Sequence, residues 1–137
     1  KGMDCLGKCD RVVIHDGARP LVTVELIENG MDAAEETGSA IAAVPVTDTI
    51  KMVSDDFTIQ GTPPRQSLWA AQTPQVIRYD IITNAYRKLK YEVTDDARVV
   101  ELIGGSVKIY PSSNDNIKIT TPEDLALAEI LLKKRME

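Results

Sequence analysis

The stretch RVVIHDGARP, Arg11–Pro20, decides how the chain is read. Val12, Val13 and Ile14 form a short apolar run that ends in the polar pair His15-Asp16, followed by Gly17-Ala18-Arg19-Pro20. A buried strand therefore stops abruptly and delivers a carboxylate and a guanidinium into a tight loop. Gly17 tolerates backbone angles other residues avoid, and Pro20 ends strand pairing. Ligands of open α/β sheets sit just beyond the carboxyl ends of strands, where Asp16 and Arg19 fall. On this stretch alone, an Asp–Arg turn that only fastens a loop fits as well as a site.

Outward from it, the chain alternates strand and helix. Thr23 offers an N-cap to a helix of three to four turns that Gly38 closes, with Gly30 inside it at a cost of about 1 kcal/mol relative to Ala. Ala40–Val46 is a continuous apolar run, read as a strand buried on both faces, as in a parallel sheet with helices on each side. Strand, helix and strand make a crossover unit. Ile50–Val53 and Phe57–Gln60 flank Ser54-Asp55-Asp56 and predict a hairpin leaving the domain body; an isolated hairpin is marginal and needs a packing partner. Trp69 is expected in the core. Gln72–Gln75 reads as a polar loop of ligand-contact type. Helices are expected over Tyr79–Lys90, from Thr94 through Ile103, and over Glu123–Lys134 behind a capping box at Thr121. Val107–Tyr110 and Asn116–Thr120 read as strands, and Lys1–Asp10 as the end of a helix. The fold class is α/β: a Rossmann-like sheet with helices on both faces and a projecting β-hairpin arm.

Composition narrows the function. The 137 residues are 43% apolar and 27% charged, with net charge −5 and pI near 4.9. That balance argues against a nucleic-acid-binding surface, which needs a basic face. No apolar run approaches the roughly 18 residues of a membrane span. No signal-peptide h-region is present, so the cytoplasm is the expected compartment. Cys5 and Cys9 have no second Cys or His pair to complete a zinc site. Phosphate-loop patterns are absent, and the single His, His15, forms no identifiable Ser–His–Asp set. What the sequence offers is cations and hydroxyls at loop and strand ends: Arg19, Thr49, Lys51, Arg65, Thr73, Thr94, Lys118, Thr120 and Thr121, with Asp16 among them. Arg forks onto phosphate oxygens, Lys supplies a point charge, and Asp accepts from sugar hydroxyls or holds a metal ion. A phosphorylated, hydroxyl-rich ligand suits this set. Capping explains Thr94 and Thr121 equally well, and Lys51 reads as a surface charge.

Five motifs carry a more specific message: VVIHDGARP (12–20), VPVTDTIK (44–51), RQSLWAAQTPQ (65–75), TDDARVVE (94–101) and NIKITTPEDLALAE (116–129). In this order they resemble the C-terminal part of the 2-C-methyl-D-erythritol 4-phosphate cytidylyltransferase family of non-mevalonate isoprenoid synthesis. The resemblance implies transfer of a cytidylyl group from CTP to the sugar phosphate, with Mg²⁺ or another divalent cation present and pyrophosphate leaving. It implies a homodimer interlocked by the arm at 47–65. It implies that Lys118 is catalytic, that Asp16, Arg19, Thr73, Thr94 and Thr120 line the sugar-phosphate site, with Asp16 also a metal ligand, and that Thr49 and Arg65 reach the partner subunit's site. The family more often has Ala where Gly17 stands. Its Gly-rich CTP loop has no match here, so the expectation is one α/β domain over 1–137, truncated at its N-terminus. Ribitol 5-phosphate cytidylyltransferase is the nearest alternative, and a non-catalytic dimerisation fragment another. The expected outcome for these 137 residues alone, mixed with CTP and the sugar phosphate, is no release of pyrophosphate. Release that depends on this chain alone contradicts the expectation.

Overall fold

The computed structural model describes residues 5–88 and 96–137. Six strands and four α-helices follow in the order β1 (Arg11–Ile14), α1 (Val24–Thr37), β2 (Ser39–Pro45), β3 (Met52–Val53), β4 (Ile59–Gly61), β5 (Trp69–Arg78), α2 (Tyr79–Lys88), α3 (Asp96–Leu102), β6 (Lys108–Pro111) and α4 (Pro122–Met136). The main sheet has the order β1-β5-β2-β6. β5 runs antiparallel to both β1 and β2, while β2 and β6 are parallel. The sheet is therefore mixed, not parallel throughout. β1 and β2 point the same way, as a crossover through α1 requires, but β5 lies between them.

Helices cover both faces, as expected from an Ala40–Val46 run without alternation. Leu26 and Ala34 of α1 pack on Ala40, Ala42, Val76 and Tyr110. On the other face Ile82 of α2 and Val100 of α3 pack on Val12 and Ile77. Val76 and Ile77, adjacent on β5 and both fully buried, thus serve opposite layers. This follows from the two-residue period of a strand. Gly30 is explained by close approach: a Cβ there would lie 2.6 Å from the Tyr110 hydroxyl and 2.9 Å from Val76. Gly38 closes α1 at φ 78, its N–H donating to the Ala34 carbonyl at 2.8 Å. An L side chain is strained in that left-handed conformation.

Several expectations need correcting. Gln72–Gln75 is not a loop but part of β5. Between the pairs Ile41↔Gln75 and Ala43↔Ala71, β5 carries Gln72, Thr73 and Pro74 against the single Ala42. This bulge contains the cis Thr73-Pro74 bond, and a bulge is where a strand tolerates proline and re-aims side chains. Trp69 is not in the core: it is 38% exposed, because the helices bury β5 only from Thr73 to Ile77. Asn116–Thr120 forms no strand, and Leu6–Asp10 contains no helix. The ends of the two middle helices at Leu89-Lys90 and Thr94-Asp95 lie outside the described residues.

The hairpin is present. β3 and β4 pair antiparallel in a sheet of their own, and Ser54 and Asp56 tie the turn, Ser54 donating to Asp56 at 2.5 Å. Its apolar side chains meet solvent: Met52, Val53, Ile59 and Phe57 are all more than half exposed. α4 begins at a capping box. Thr121 accepts from the Asp124 N–H, and the Asp124 carboxylate accepts from the Thr120 and Thr121 N–H groups. These bonds hold the Asp124 carboxyl below the usual carboxylate range, the Thr120 N–H contributing most. At its other end, Arg135 donates to the Leu21 carbonyl at 2.6 Å.

The buried Tyr110 hydroxyl donates to the carbonyl of Pro74 at 2.9 Å, and burial pushes its ionisation up to about 12. Tyr110→Phe leaves that carbonyl buried without a partner, at a cost of about 1–3 kcal/mol. The unfolded phenol ionises near pH 10, so the tyrosine's contribution is intact below about pH 10 and is lost as pH rises toward 12. Chemical denaturation should show the phenylalanine protein less stable at pH 8, with a shallower alkaline loss. Equal stability of the two proteins at pH 8 would contradict the strut.

Candidate functional site

The carboxyl end of β1 carries a turn closed by the Arg19 N–H, which donates to the Asp16 carbonyl at 3.0 Å. Side chains from β5 and from the segment at 116–118 converge on it. Arg19 places Nε 3.4 Å from Asp16 Oδ2, and Lys118 places Nζ 3.2 Å from the same oxygen. Arg19 is nearly buried, at 11% side-chain exposure, whereas Lys118 is 48% exposed. One carboxylate thus faces two cations, and the cluster keeps an excess of positive charge at a solvent-reachable point. Partly exposed ion pairs of this kind contribute little to stability, on the order of 0–1 kcal/mol. Their value lies in where they hold the charges.

Buried amides and hydroxyls set those positions. The Asp16 N–H donates to Thr73 Oγ1 at 3.0 Å, and Thr73 Oγ1 is also 3.0 Å from His15 Nδ1. Arg19 Nη1 donates to the Asn116 carbonyl at 2.7 Å. Asn116, 2% exposed, donates its side-chain amide to Gln72 Oε1 at 2.9 Å and to the Thr73 carbonyl at 2.8 Å. The Ile119 N–H then donates to the Ala18 carbonyl at 2.8 Å, which fastens the segment bearing Lys118 to the loop bearing Arg19. Gln75, 3% exposed, accepts from the Ala97 N–H at 2.8 Å and so ties the start of α3 to β5. Ile14, His15, Asp16, Arg19, Gln72, Thr73, Asp96 and Lys118 are among the residues lining the resulting cavity of about 290 Å³.

Of the expected site residues, Asp16, Arg19, Thr73 and Lys118 come together. Thr120 does not line the cavity; its hydroxyl donates to Asp124 at 2.9 Å and serves the cap of α4. Thr49 and Arg65 lie exposed at the base of the arm, where Arg65 donates to the Thr47 carbonyl at 2.8 Å. Lys51 donates to Thr62 at 2.8 Å. Thr94 lies outside the described residues. Asp16 is also expected as a metal ligand. Its Oδ2 is engaged by two cations, and no group of three His, Cys, Asp or Glu side chains among the described residues could hold a metal. Magnesium-class ions are held by one or two protein carboxylates together with substrate phosphate oxygens, a role open to a single carboxylate such as Asp16.

Sequence reading missed His15 and Asn116 among the residues that do the fastening, and singled out Gln72 and Gln75 only as part of a ligand-contact loop. The available signal was polarity in an apolar context. Gln72 and Gln75 flank a buried stretch, and a polar side chain buried in a sheet needs partners. A larger hollow of about 730 Å³, lined by Cys9, Asp10, Arg11, Met31, Arg78, Tyr79 and Asp80, is a weaker candidate. Its arginines are already engaged, Arg11 by Glu35 and Arg78 by Asp80, each at 2.6 Å.

Known proteins share this arrangement of sequence and fold. The chain is 51% identical over 132 residues to the 2-C-methyl-D-erythritol 4-phosphate cytidylyltransferase of Alkaliphilus oremlandii, covering 94% of this chain and 56% of that protein. It is 52% identical over 133 residues to that of Dehalococcoides mccartyi, covering 97% and 59%. The chain therefore spans somewhat under three fifths of the length of these relatives. The crystal structure of 4-diphosphocytidyl-2C-methyl-D-erythritol synthase from Anaerococcus prevotii superimposes with a TM-score of 0.89 at 33% identity, over 96% of this chain and 63% of that one. The 2-C-methyl-D-erythritol 4-phosphate cytidylyltransferase from Thermus thermophilus gives 0.82 at 30%, over 96% and 65%. The sequence model of one family matches residues 1–134. The chain belongs to the 2-C-methyl-D-erythritol 4-phosphate cytidylyltransferase family, IspD.

Proposed function

We propose that this chain supplies the acceptor side of a cytidylyltransferase. In the reaction, a phosphate oxygen of 2-C-methyl-D-erythritol 4-phosphate attacks the α-phosphorus of CTP and pyrophosphate leaves. The observation that carries the reading is the convergence of Arg19 and Lys118 on Asp16 beside Thr73, in a cavity at the end of β1. Two cations around one carboxylate suit a ligand carrying both phosphate and hydroxyls. Arg19 is held rigidly by Asn116 and binds the phosphate in a fixed orientation. Asp16 accepts from a sugar hydroxyl. Lys118, the more exposed cation, follows the charge that builds on the transferring phosphates, and this makes it the catalytic candidate. Positioning and charge neutralisation are what such a transfer needs. Thr94 and Thr120 stay as proposed lining residues, the second through a hydroxyl now given to Asp124. A divalent cation accompanies the nucleotide in this reading. Ribitol 5-phosphate is the less favoured acceptor, since the relatives above carry the methylerythritol name. The cytoplasm is the compartment that goes with the reading.

The partner is a second copy. The exposed apolar side chains of the arm at 47–65 support an interlocked homodimer, because such surface on a free hairpin is costly. Thr49 and Arg65 then belong to the neighbouring subunit's site, which accounts for their place outside the cavity here.

In the protein extended to the length of its relatives, CTP-dependent pyrophosphate release should require methylerythritol phosphate and fall about 10²–10³-fold in Lys118→Ala. Equal turnover with ribitol 5-phosphate, or an unaffected Lys118→Ala protein, would sink the reading. Mixed dimers carrying Arg65→Ala on one chain and Lys118→Ala on the other should recover one working site. No recovery would place both residues in the same subunit's site.

A further inference from the structure

His15 is the only histidine in the chain, and the contact of its Nδ1 with Thr73 described above is only half of what its ring does. Its two nitrogens bridge the two ends of the loop's anchorage. Nε2 lies 2.9 Å from the Arg19 carbonyl, and Nδ1 lies 3.0 Å from Thr73 Oγ1. A carbonyl can only accept, so in the neutral ring Nε2 carries the proton. Nδ1 is then an acceptor, and the Thr73 hydroxyl donates to it. The same Thr73 oxygen accepts from the Asp16 N–H at 3.0 Å. The resulting chain runs from Asp16 N–H through Thr73 and the imidazole to the Arg19 carbonyl, with every group in its only consistent role.

We infer that His15 is a positioning residue for the acceptor site. As the Nε2–H tautomer it clamps the Asp16–Arg19 turn to the bulge of β5, and it commits the Thr73 hydroxyl proton. The first consequence is geometric. Asp16 and Arg19 sit at opposite ends of one turn, and His15 is the side chain that ties the Arg19 end to the residue that holds the Asp16 end. Without it the Asp16 end keeps its bond to Thr73 and its ion pairs. The Arg19 carbonyl loses its tie to the β5 bulge, and the Arg19 end is held only by its N–H bond to Asp16, its side-chain pair with Asp16 and the segment around Asn116. The second consequence concerns specificity. Thr73 has given its proton to His15 and one lone pair to Asp16, so it meets a ligand as an acceptor only. It takes a hydroxyl of the ligand, and the phosphate falls to Arg19 and Lys118. The inference rests on the proposed acceptor binding, and its test separates the two.

Imidazole nitrogen NMR of the unmodified protein at pH 8 should show a proton on Nε2 and a bare Nδ1. A proton on Nδ1 overturns the inference whatever the substrate turns out to be. In the protein extended to the length of its relatives, His15→Phe keeps the ring's bulk and removes both bonds. The acceptor KM should rise about tenfold, while the CTP KM stays within about twofold. His15→Asn, which restores an acceptor for Thr73, should recover part of the loss. An unchanged acceptor KM in His15→Phe, or both KM values rising together with a fall in melting temperature, contradicts a positioning role. If the unmodified protein fails to use methylerythritol phosphate, the proposed function falls, and the nitrogen spectrum alone then decides the role of His15.

Discussion

Two hydrogen bonds from the buried side-chain amide of Asn116 to β5 hold the site together. They reach Gln72 Oε1 and the Thr73 carbonyl, both within the bulge of that strand, where a regular ladder would have used the strand's own groups. The bulge frees backbone and side-chain acceptors, and Asn116 consumes them. In return its own carbonyl is presented to Arg19. Segments 97 positions apart in the chain are thereby locked to one another. The Asn116 Nδ2 makes both bonds in a dry environment, where such bonds are strong, while its Oδ1 is buried without a partner. The solvent-facing part of the site, a half-exposed lysine and a turn, is mounted on this buried base.

That base explains how weak surface electrostatics becomes useful chemistry. Asp16, Arg19 and Lys118 gain little folding energy from one another at their exposure. Their arrangement is maintained by the amide and hydroxyl network beneath them, with Tyr110 bracing the Pro74 carbonyl from the opposite layer. Lys118, half exposed, can respond to an incoming phosphate, while Arg19 is fixed by the Asn116 carbonyl. In the arm, β3 and β4 pair with each other, and the side chains of Met52, Val53, Phe57 and Ile59 face solvent.

The α/β class, the helices on both faces, the hairpin and the caps at Thr23, Gly38 and Thr121 were legible in the sequence, because each rests on local periodicity or on one residue's stereochemistry. The position of β5 between β1 and β2 was not, since strand order is set by long-range packing that no local pattern encodes. Gln72–Gln75 read as a loop for a related reason. A bulge with buried polar side chains breaks the alternation by which strands are recognised. At the site, Asp16 and Arg19 stood out because they follow the carboxyl end of an apolar strand, where ligands of α/β sheets sit, and Lys118 because the family resemblance points to it. Asn116 and His15 did not, because their importance lies in partners far along the chain. Thr120 was legible as a hydroxyl near Lys118, but its proximity to Asp124, four residues on, commits it to the helix cap.

The central claim is that the acceptor sugar phosphate binds between Asp16, Arg19 and Lys118 above the Asn116 junction. Backbone amide NMR during titration with 2-C-methyl-D-erythritol 4-phosphate tests it most directly. The account predicts that the amides of Asp16 to Arg19, Thr73 and Lys118 shift together and saturate along one binding curve, while those of the last turns of α4 stay in place. Saturable shifts confined to the hollow lined by Arg11 and Arg78, with the Asp16–Arg19 turn unmoved, would contradict it.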